Sequence, residues 1–343
     1  MKTLLNAIIF FFVSSLAYAA AIDGGWHGKT DRTEMLLNFK TEGKKLTGIM
    51  YTSGADHPIT DGKVNGSDFS FSITSNNNKI PVKGKIEGDQ ISLTLAYPDK
   101  PSTGLLNRVE AGKPMPVIMK ARMTEKYDPV KVITPGAYPG QAAPPSDALV
   151  LFDGKDLSKW KGRDGEAKWN VHDGAFTVNK GTGDIETKDV FNDFQLHIEW
   201  KIPENITGQG QSRGNSGVFM QGIYELQVLD SHNNDTYTNG QAGSIYKQTP
   251  PLVNAMRKPG EWNVYDVIFT APRFKEDQTI LFPARITVLH NGVVVQKDFE
   301  LHGNTPNVGF PKYTQHGKGP IKLQDHGDPS EPISYRNIWI REL

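Results

Sequence analysis

The chain has 343 residues, 38 Lys+Arg against 38 Asp+Glu, and no cysteine. Balanced charge gives no sign of a nucleic-acid or anionic-membrane partner, and the missing cysteine excludes disulfides, thiolate catalysis and a Cys-ligated zinc site. The 34 glycines and 22 prolines, with β-branched runs broken by Asn, Asp and Gly turns, point to an all-β protein long enough for two domains.

Residues 1–19 read as a signal peptide: a positive start at Met1-Lys2, an apolar run over 4–16, and Ala17-Tyr18-Ala19 as the cleavage site. The expectation is a periplasmic or secreted protein beginning near Ala20. Without cysteine it carries no bacterial lipid anchor, and no later apolar run is long enough for membrane insertion.

Residues 20–125 form an accessory unit with predicted strands at 34–39, 45–51, 68–73, 80–86 and 90–96. Turn signals at Glu42-Gly43, Asn65-Gly66 and Glu87-Gly88-Asp89 separate them. The pattern fits a small antiparallel β-barrel or β-sandwich. Residues 126–147, with Pro129, Pro135, Pro139, Pro144 and Pro145, read as an interdomain linker.

From 148 to 343 the strands expected are 169–171, 174–178, 194–202, 216–221, 224–230, 263–270, 285–290, 293–299, 321–324 and 333–341. Asn291-Gly292 is the strongest hairpin signal. So many antiparallel strands suit a two-sheet jelly-roll sandwich. The stretch GNSGVFMQGIYELQVLDS organises it: two strands joined by Gly222-Ile223, read as a type II′ turn. Alternation puts Leu226 and Val228 toward a core and Glu225 and Gln227 on the opposite face.

The segments LFDGKDLSKWKG, GNSGVFMQGIYELQVLDSH, EWNVYDVIF, HNG and GPIKLQDHGDPSEPISYRNIWIREL, in that order, resemble the 3-keto-disaccharide hydrolase domain family over residues 148–343. The resemblance implies a concanavalin A-like sandwich and cleavage of glycosides oxidised to a ketone at C3. The first unit lies outside it.

Polar residues alternate with apolar ones on three strands, leaving His197 and Glu199, Glu225 and Gln227, and Lys322 and Gln324 on the non-core faces. Either a solvated face or a saccharide-binding face explains each. Asn215 and Ser231 fit turn chemistry as well as a substrate site. His232 and His326 each stand near a carboxylate, Asp230 and Asp325, an arrangement that serves as a base or as a metal ligand, although no HxxxH spacing supports a metal. Tyr246 and Lys247 read as hydroxyl or keto-oxygen ligands or as loop anchors.

If the resemblance holds, a C3 ketone acidifies the C2 proton, so a base removes it, the C1 substituent leaves, and water adds. Such chemistry needs a base, an acid and an oxyanion stabiliser, a role a divalent cation would fill. Glu225, His326 and His232 are the catalytic candidates. Glu199, Arg213, Asn215, Gln227, Tyr246, Lys247 and Gln324 are the substrate-binding ones, with Asp230 and Asp325 as metal ligands. The partner is an oligosaccharide or glycoside. Two other readings stay open: a conventional retaining glycosidase, which needs paired carboxylates, and a non-catalytic carbohydrate-binding module using Trp160, Trp169, Trp262 and Trp339.

Overall fold

A computed structural model describes residues 22–52, 56–75, 78–109, 121–122, 124–141, 143–306 and 308–343. The signal-peptide segment lies outside the described residues. The chain divides into two units, Met1–Arg122 and Met123–Leu343.

The first unit is a closed eight-stranded antiparallel barrel. Its order is Glu34–Glu42, Gly24–Thr30, Ser102–Arg108, Gln90–Leu95, Asn78–Glu87, Asp68–Ser75, Thr60–Asn65 and Lys45–Thr52, which pairs back with Glu34–Glu42. Asp56–Pro58 adds a short strand beside Lys45–Thr52. Trp26, Leu37, Phe39, Phe71 and Leu106 are buried in a common core, so side chains fill the interior. Three ring strands, Gly24–Thr30, Thr60–Asn65 and Ser102–Arg108, escape the sequence reading for a steric reason. A Cβ on Gly28 would lie 2.1 Å from the Leu105 carbonyl oxygen, and one on Gly62 2.0 Å from that of Leu46. Tight passage of neighbouring strands demands the glycines that mask the strand pattern.

The second unit is a sandwich. Its large sheet runs Asn170–His172, Ala175–Thr177, Ser334–Glu342, Phe194–Lys201, Trp262–Thr270, Arg285–His290 and Val293–Glu300, with Leu149–Phe152 also on Ser334–Glu342. Its small sheet runs Gly165–Glu166, Trp160–Gly162, Ile185–Thr187, Lys322–Leu323, Ser216–Met220 and Tyr224–Val228. Alternation turns Leu196, Ile198 and Trp200 of one sheet and Val218, Leu226, Val228 and Leu323 of the other into one core, all fully buried. Each such side chain contributes about 1.5–3 kcal/mol of transfer free energy. The hydroxyl of Tyr335 donates to Ser216 Oγ at 2.7 Å, and that of Tyr265 to the Gln227 carbonyl at 2.8 Å, so polar bonds also tie large-sheet tyrosines to the hairpin.

Two expectations change. The hairpin closes with Met220 opposite Tyr224 and positive φ at both Gln221 (50°) and Gly222 (75°). Two positive φ values mark a type I′ turn, one residue earlier than the expected II′. The proline-rich segment, in turn, is not a free linker. Ile133 N–H donates to the Asn254 carbonyl, Thr238 N–H to that of Lys126, and Arg257 Nη2 to that of Gly136, all within the second unit. Unable to form a ladder of its own, it runs as a strap that satisfies loop groups.

Candidate active site

The hairpin places the site. Because Val218 and Leu226 point inward, Gly217, Phe219, Glu225 and Gln227 share the other face of the small sheet. The loop 243–246 continues that sheet: Gln227 N–H donates to the Ser244 carbonyl at 3.0 Å, and Tyr246 N–H to the Glu225 carbonyl at 3.2 Å. Tyr246 therefore stands beside Glu225. From the other side the strand Lys322–Leu323 pairs with Ser216–Met220 and leads directly into Gln324 and His326.

These residues enclose a cavity of about 310 Å³. Glu225, Gln227, Asn215, Tyr246, Gln324 and His326 line it, with Phe219, Thr305 and Pro306. Six of the residues expected from sequence thus converge. Phe219, directly opposite Glu225 across the hairpin, lies on the same face by the same alternation. Thr305 comes from a loop with no signal, and its Oγ1 accepts the Glu225 N–H at 3.0 Å.

Glu225 is 6% exposed. Burial pushes its carboxyl up to about 8; Lys322 and Lys247 pull downward through space, and Asp184 adds to the rise. At neutral pH it is a protonated acid. Gly217 makes room for it, since a Cβ there would come within 2.7 Å of Glu225 Oε1. His326 Nδ1 lies 3.0 Å from Asp328 Oδ2. Burial disfavours the Asp328 charge, but hydrogen bonds from His326 and from the Ser330 hydroxyl and N–H, with Lys180 nearby, outweigh it and hold the carboxyl below its usual range. An ionised carboxylate at that distance makes Nδ1–H the donor and leaves Nε2 as the acceptor; the Asp328 N–H approaches the same nitrogen at a longer 3.3 Å.

Gln227 Nε2 donates to Gln211 and Asn215, both at 3.2 Å, while Gln227 Oε1 and Gln324 Oε1 are buried with no hydrogen-bond partner among the described residues. Buried acceptors of this kind call for donors such as sugar hydroxyls. The hydroxyls of Tyr246 and Tyr237 share a 2.7 Å bond, and burial raises both well above the usual tyrosine range. Behind them Lys247, 8% exposed, pairs with Glu125 at 3.4 Å. The sequence boundary at 125 puts Glu125 at the end of the accessory unit, whereas in the structure it belongs to the second unit.

Other candidates lie elsewhere. Glu199 and His197 project from the outer face of the large sheet, where Glu199 binds Arg336 (2.7 Å), Tyr138 (2.8 Å) and Asn337 (2.8 Å). Alternation could not tell which sheet faces substrate. His232 lines a larger groove of about 810 Å³ with Asp235, Arg257, Lys258 and Glu261, none of them buried. Arg213 Nε stands 2.8 Å from Asp230 Oδ2 without hydrogen-bond alignment, and Asp230 also caps the His232 N–H. Asp325 accepts the backbone N–H groups of Gly181 and Gly183. Asp230 and Asp325 do not assemble into a metal-ligand set: among the described residues no three His, Asp or Glu side chains gather to hold an ion. Trp160, Trp169 and Trp339 are buried and Trp262 lies under Arg336, so these four make no exposed aromatic strip.

A 3-keto-disaccharide hydrolase of Bacteroides thetaiotaomicron is 27% identical over 245 residues, covering 57% of this chain and 78% of that protein. The crystal structure of a proposed glycosyl hydrolase from Parabacteroides distasonis is 59% identical, with a TM-score of 0.59 over 68% of this chain and 99% of that one. The model of the 3-keto-α-glucoside-1,2-lyase-like domain matches residues 147–341, more than half of the sequence and nearly all of the sandwich. The chain belongs to the 3-keto-α-glucoside-1,2-lyase-like domain family.

Proposed function

We propose that this protein is an exported carbohydrate-active enzyme that cleaves 3-keto-glycosides by elimination followed by hydration. What carries the reading is the meeting, in one cavity, of a protonated buried Glu225 and an Asp328-oriented His326. A buried acid and a histidine oriented by a carboxylate supply the proton donor and the acceptor that such chemistry needs. The relatives' names support a saccharide substrate, and the residue 1–19 pattern supports export.

In this mechanism His326 Nε2 takes the C2 proton, acidified by the adjacent ketone. The electron pair forms the C1–C2 double bond as the C1–O bond breaks, and Glu225 gives its proton to the departing oxygen. The Tyr246 hydroxyl, kept protonated by burial, donates to the keto oxygen as enolate charge develops. Water then adds at C1, giving a proton to Glu225, while His326 returns its proton to C2. Both groups finish as they began. A retaining glycosidase would need a second carboxylate across the bond, and Glu225 is the only carboxylate among the described residues lining the cavity.

The test is incubation with a 3-keto-glucoside bearing a nitrophenyl leaving group, and with its unoxidised parent, in D₂O with and without chelator. Release from the keto compound alone, with deuterium at C2 of the product, is expected. Release from the parent would contradict it, and chelation tests whether a divalent cation adds to the stabilisation of the enolate.

A further inference from the structure

Behind the Glu225 cavity one asparagine brings two buried charges of opposite sign together. Asn239, fully buried in the short turn Thr238–Gly240, accepts the Lys126 N–H at Oδ1 (2.9 Å) and donates from Nδ2 to the Thr124 carbonyl (2.7 Å). It thereby grips the strap on both sides of Glu125. Thr238 adds two bonds to the Lys126 carbonyl, from its N–H at 2.6 Å and its hydroxyl at 2.8 Å. The Asn239 carbonyl accepts the Lys247 N–H at 2.8 Å, with Lys247 at a positive φ of 57°. A side-chain-bearing residue takes that conformation only where its surroundings hold it there. One turn thus sets both partners of the Lys247–Glu125 ion pair, whose side chains are 7% and 5% exposed.

The pair lies against the tyrosines of the site. The Lys247 ammonium is 5.6 Å from the ring centres of both Tyr237 and Tyr246, near enough to be attracted by each ring. Gly240 leaves space for the first ring, since a Cβ there would come within 2.2 Å of Tyr237 Cε2. Tyr127 closes the arrangement: its hydroxyl donates to Glu125 Oε2 at 2.6 Å, and its ring meets that of Tyr237 edge-on. Tyr237 in turn shares its hydroxyl bond with Tyr246, which lines the cavity with Glu225. A continuous set of contacts therefore runs from the strap to the acid. Its first member, Glu125, lies ahead of the residues 147–341 that the family model matches.

We propose that Glu125 is a positioning residue for the reaction: its carboxylate holds the Lys247 ammonium against the Tyr237–Tyr246 pair and offsets the charge that Lys247 would otherwise impose on Glu225 and the Tyr246 hydroxyl. This role rests on the proposed cleavage at Glu225. Both groups must keep their protons, Glu225 for the leaving oxygen and Tyr246 for the keto oxygen. The charged groups acting on Glu225 are Lys322, Asp184 and Lys247, with His326 on the same cavity wall; those acting on Tyr246 are Glu225 and Glu125. A buried ammonium favours ionisation of neighbouring acids, and little solvent screens it. A carboxylate paired with it cancels much of that pull. Glu125 does this from behind the tyrosines, outside the cavity lining.

The test is a charge cycle of Glu125→Gln, Lys247→Met and the double variant, with thermal unfolding to check that each is folded. The Glu225 carboxyl is followed by NMR, assigned by its loss in Glu225→Gln, and the upper pH limb of kcat/KM is measured on a nitrophenyl 3-keto-glucoside. Glu125→Gln leaves the ammonium uncompensated, so both readings should move down by about one pH unit. Lys247→Met removes the ammonium and leaves the carboxylate, so both should move up. The double variant, with neither charge, should return close to wild type, a cancellation that a packing defect does not produce. It removes a buried ion pair whole and so keeps the fold best; should Glu125→Gln not fold, Lys247→Met and the double variant carry the comparison. Titrations that stay in place in the folded variants, or that move the same way in both single variants, overturn the role of Glu125 whether or not the enzyme cleaves. A wild type that spares the keto compound while the carboxyl titration moves as described overturns the cleavage reading, and with it the part Glu125 plays in the reaction.

Discussion

The two polar faces of the sandwich carry the same sequence pattern and opposite chemistry. On the outer face of the large sheet, Glu199 is fully buried, but Arg336, Asn337, Tyr138 and His197 surround it. Burial alone would raise its pKa; those hydrogen bonds outweigh it and hold the carboxyl at about 2. His197, pressed down by burial but bonded to Asp266 and Glu199, rises to about 9. On the small sheet Glu225 is as deeply placed, yet Lys322 and Lys247 act on it only through space and it rises to about 8. Compensated charge makes a structural network; uncompensated burial makes an acid. Burial by itself distinguishes nothing.

Substitutions should separate the two faces. Glu225→Gln keeps the shape but removes the proton donor, so kcat on a 3-keto-glucoside should fall about 10²–10⁴-fold, the usual worth of a general acid, with the fold intact. Glu199→Ala should do the reverse. Stranding the Arg336 and His197 charges should cost about 3–5 kcal/mol of stability, read by denaturant unfolding, while kcat of the folded fraction stays near wild type.

The pH dependence sharpens the contrast. A group whose folded pKa is raised contributes stability present below its unfolded pKa and lost as pH rises through the folded one. Glu225 therefore removes stability between about pH 4.5 and 8, at roughly 1.4 kcal/mol per pH unit, and His197 does so between about 6.5 and 9. Glu199, with a depressed value, supports the fold above about 4.5 and loses that support as pH falls through about 2. Unfolding curves from pH 4.5 to 6.5 should flatten in Glu225→Gln and keep the wild-type slope in His197→Gln. A smaller effect is expected from Gly217→Ala, whose Cβ would crowd Glu225 Oε1 and Phe219 Cε2, both at 2.7 Å. It should cost about 1–3 kcal/mol, with a drop in kcat. Tyr138→Phe, losing the bond its hydroxyl donates to Glu199 and the one it accepts from Arg336, should be the mildest, at about 1–2 kcal/mol in thermal unfolding with unchanged turnover.

Much of this architecture was legible from the sequence. Period-2 alternation placed Leu226 and Val228 in the core and Glu225 with Gln227 outside it, and the Asn291-Gly292 turn forms as expected, both residues having positive φ (54° and 79°). What alternation cannot carry is which sheet a polar face belongs to, so it marks Glu199 and Glu225 alike, and the contacts of Tyr138 and Arg336 set Glu199 apart. Tyr246 reaches the site through a loop that extends the sheet, and Thr305 through another. Glu125 arrives on a strap whose prolines suggested only a spacer. These placements depend on long-range pairing that local pattern does not encode.

The ionisation of Glu225 is the most direct test. Carboxyl-carbon NMR of protein labelled at glutamate, titrated from pH 4 to 10 and assigned by loss of the signal in Glu225→Gln, should show one glutamate titrating near pH 8. A Glu225 signal titrating between about 4 and 5, in the ordinary glutamate range, would contradict the acid role and with it the division of labour between the two faces.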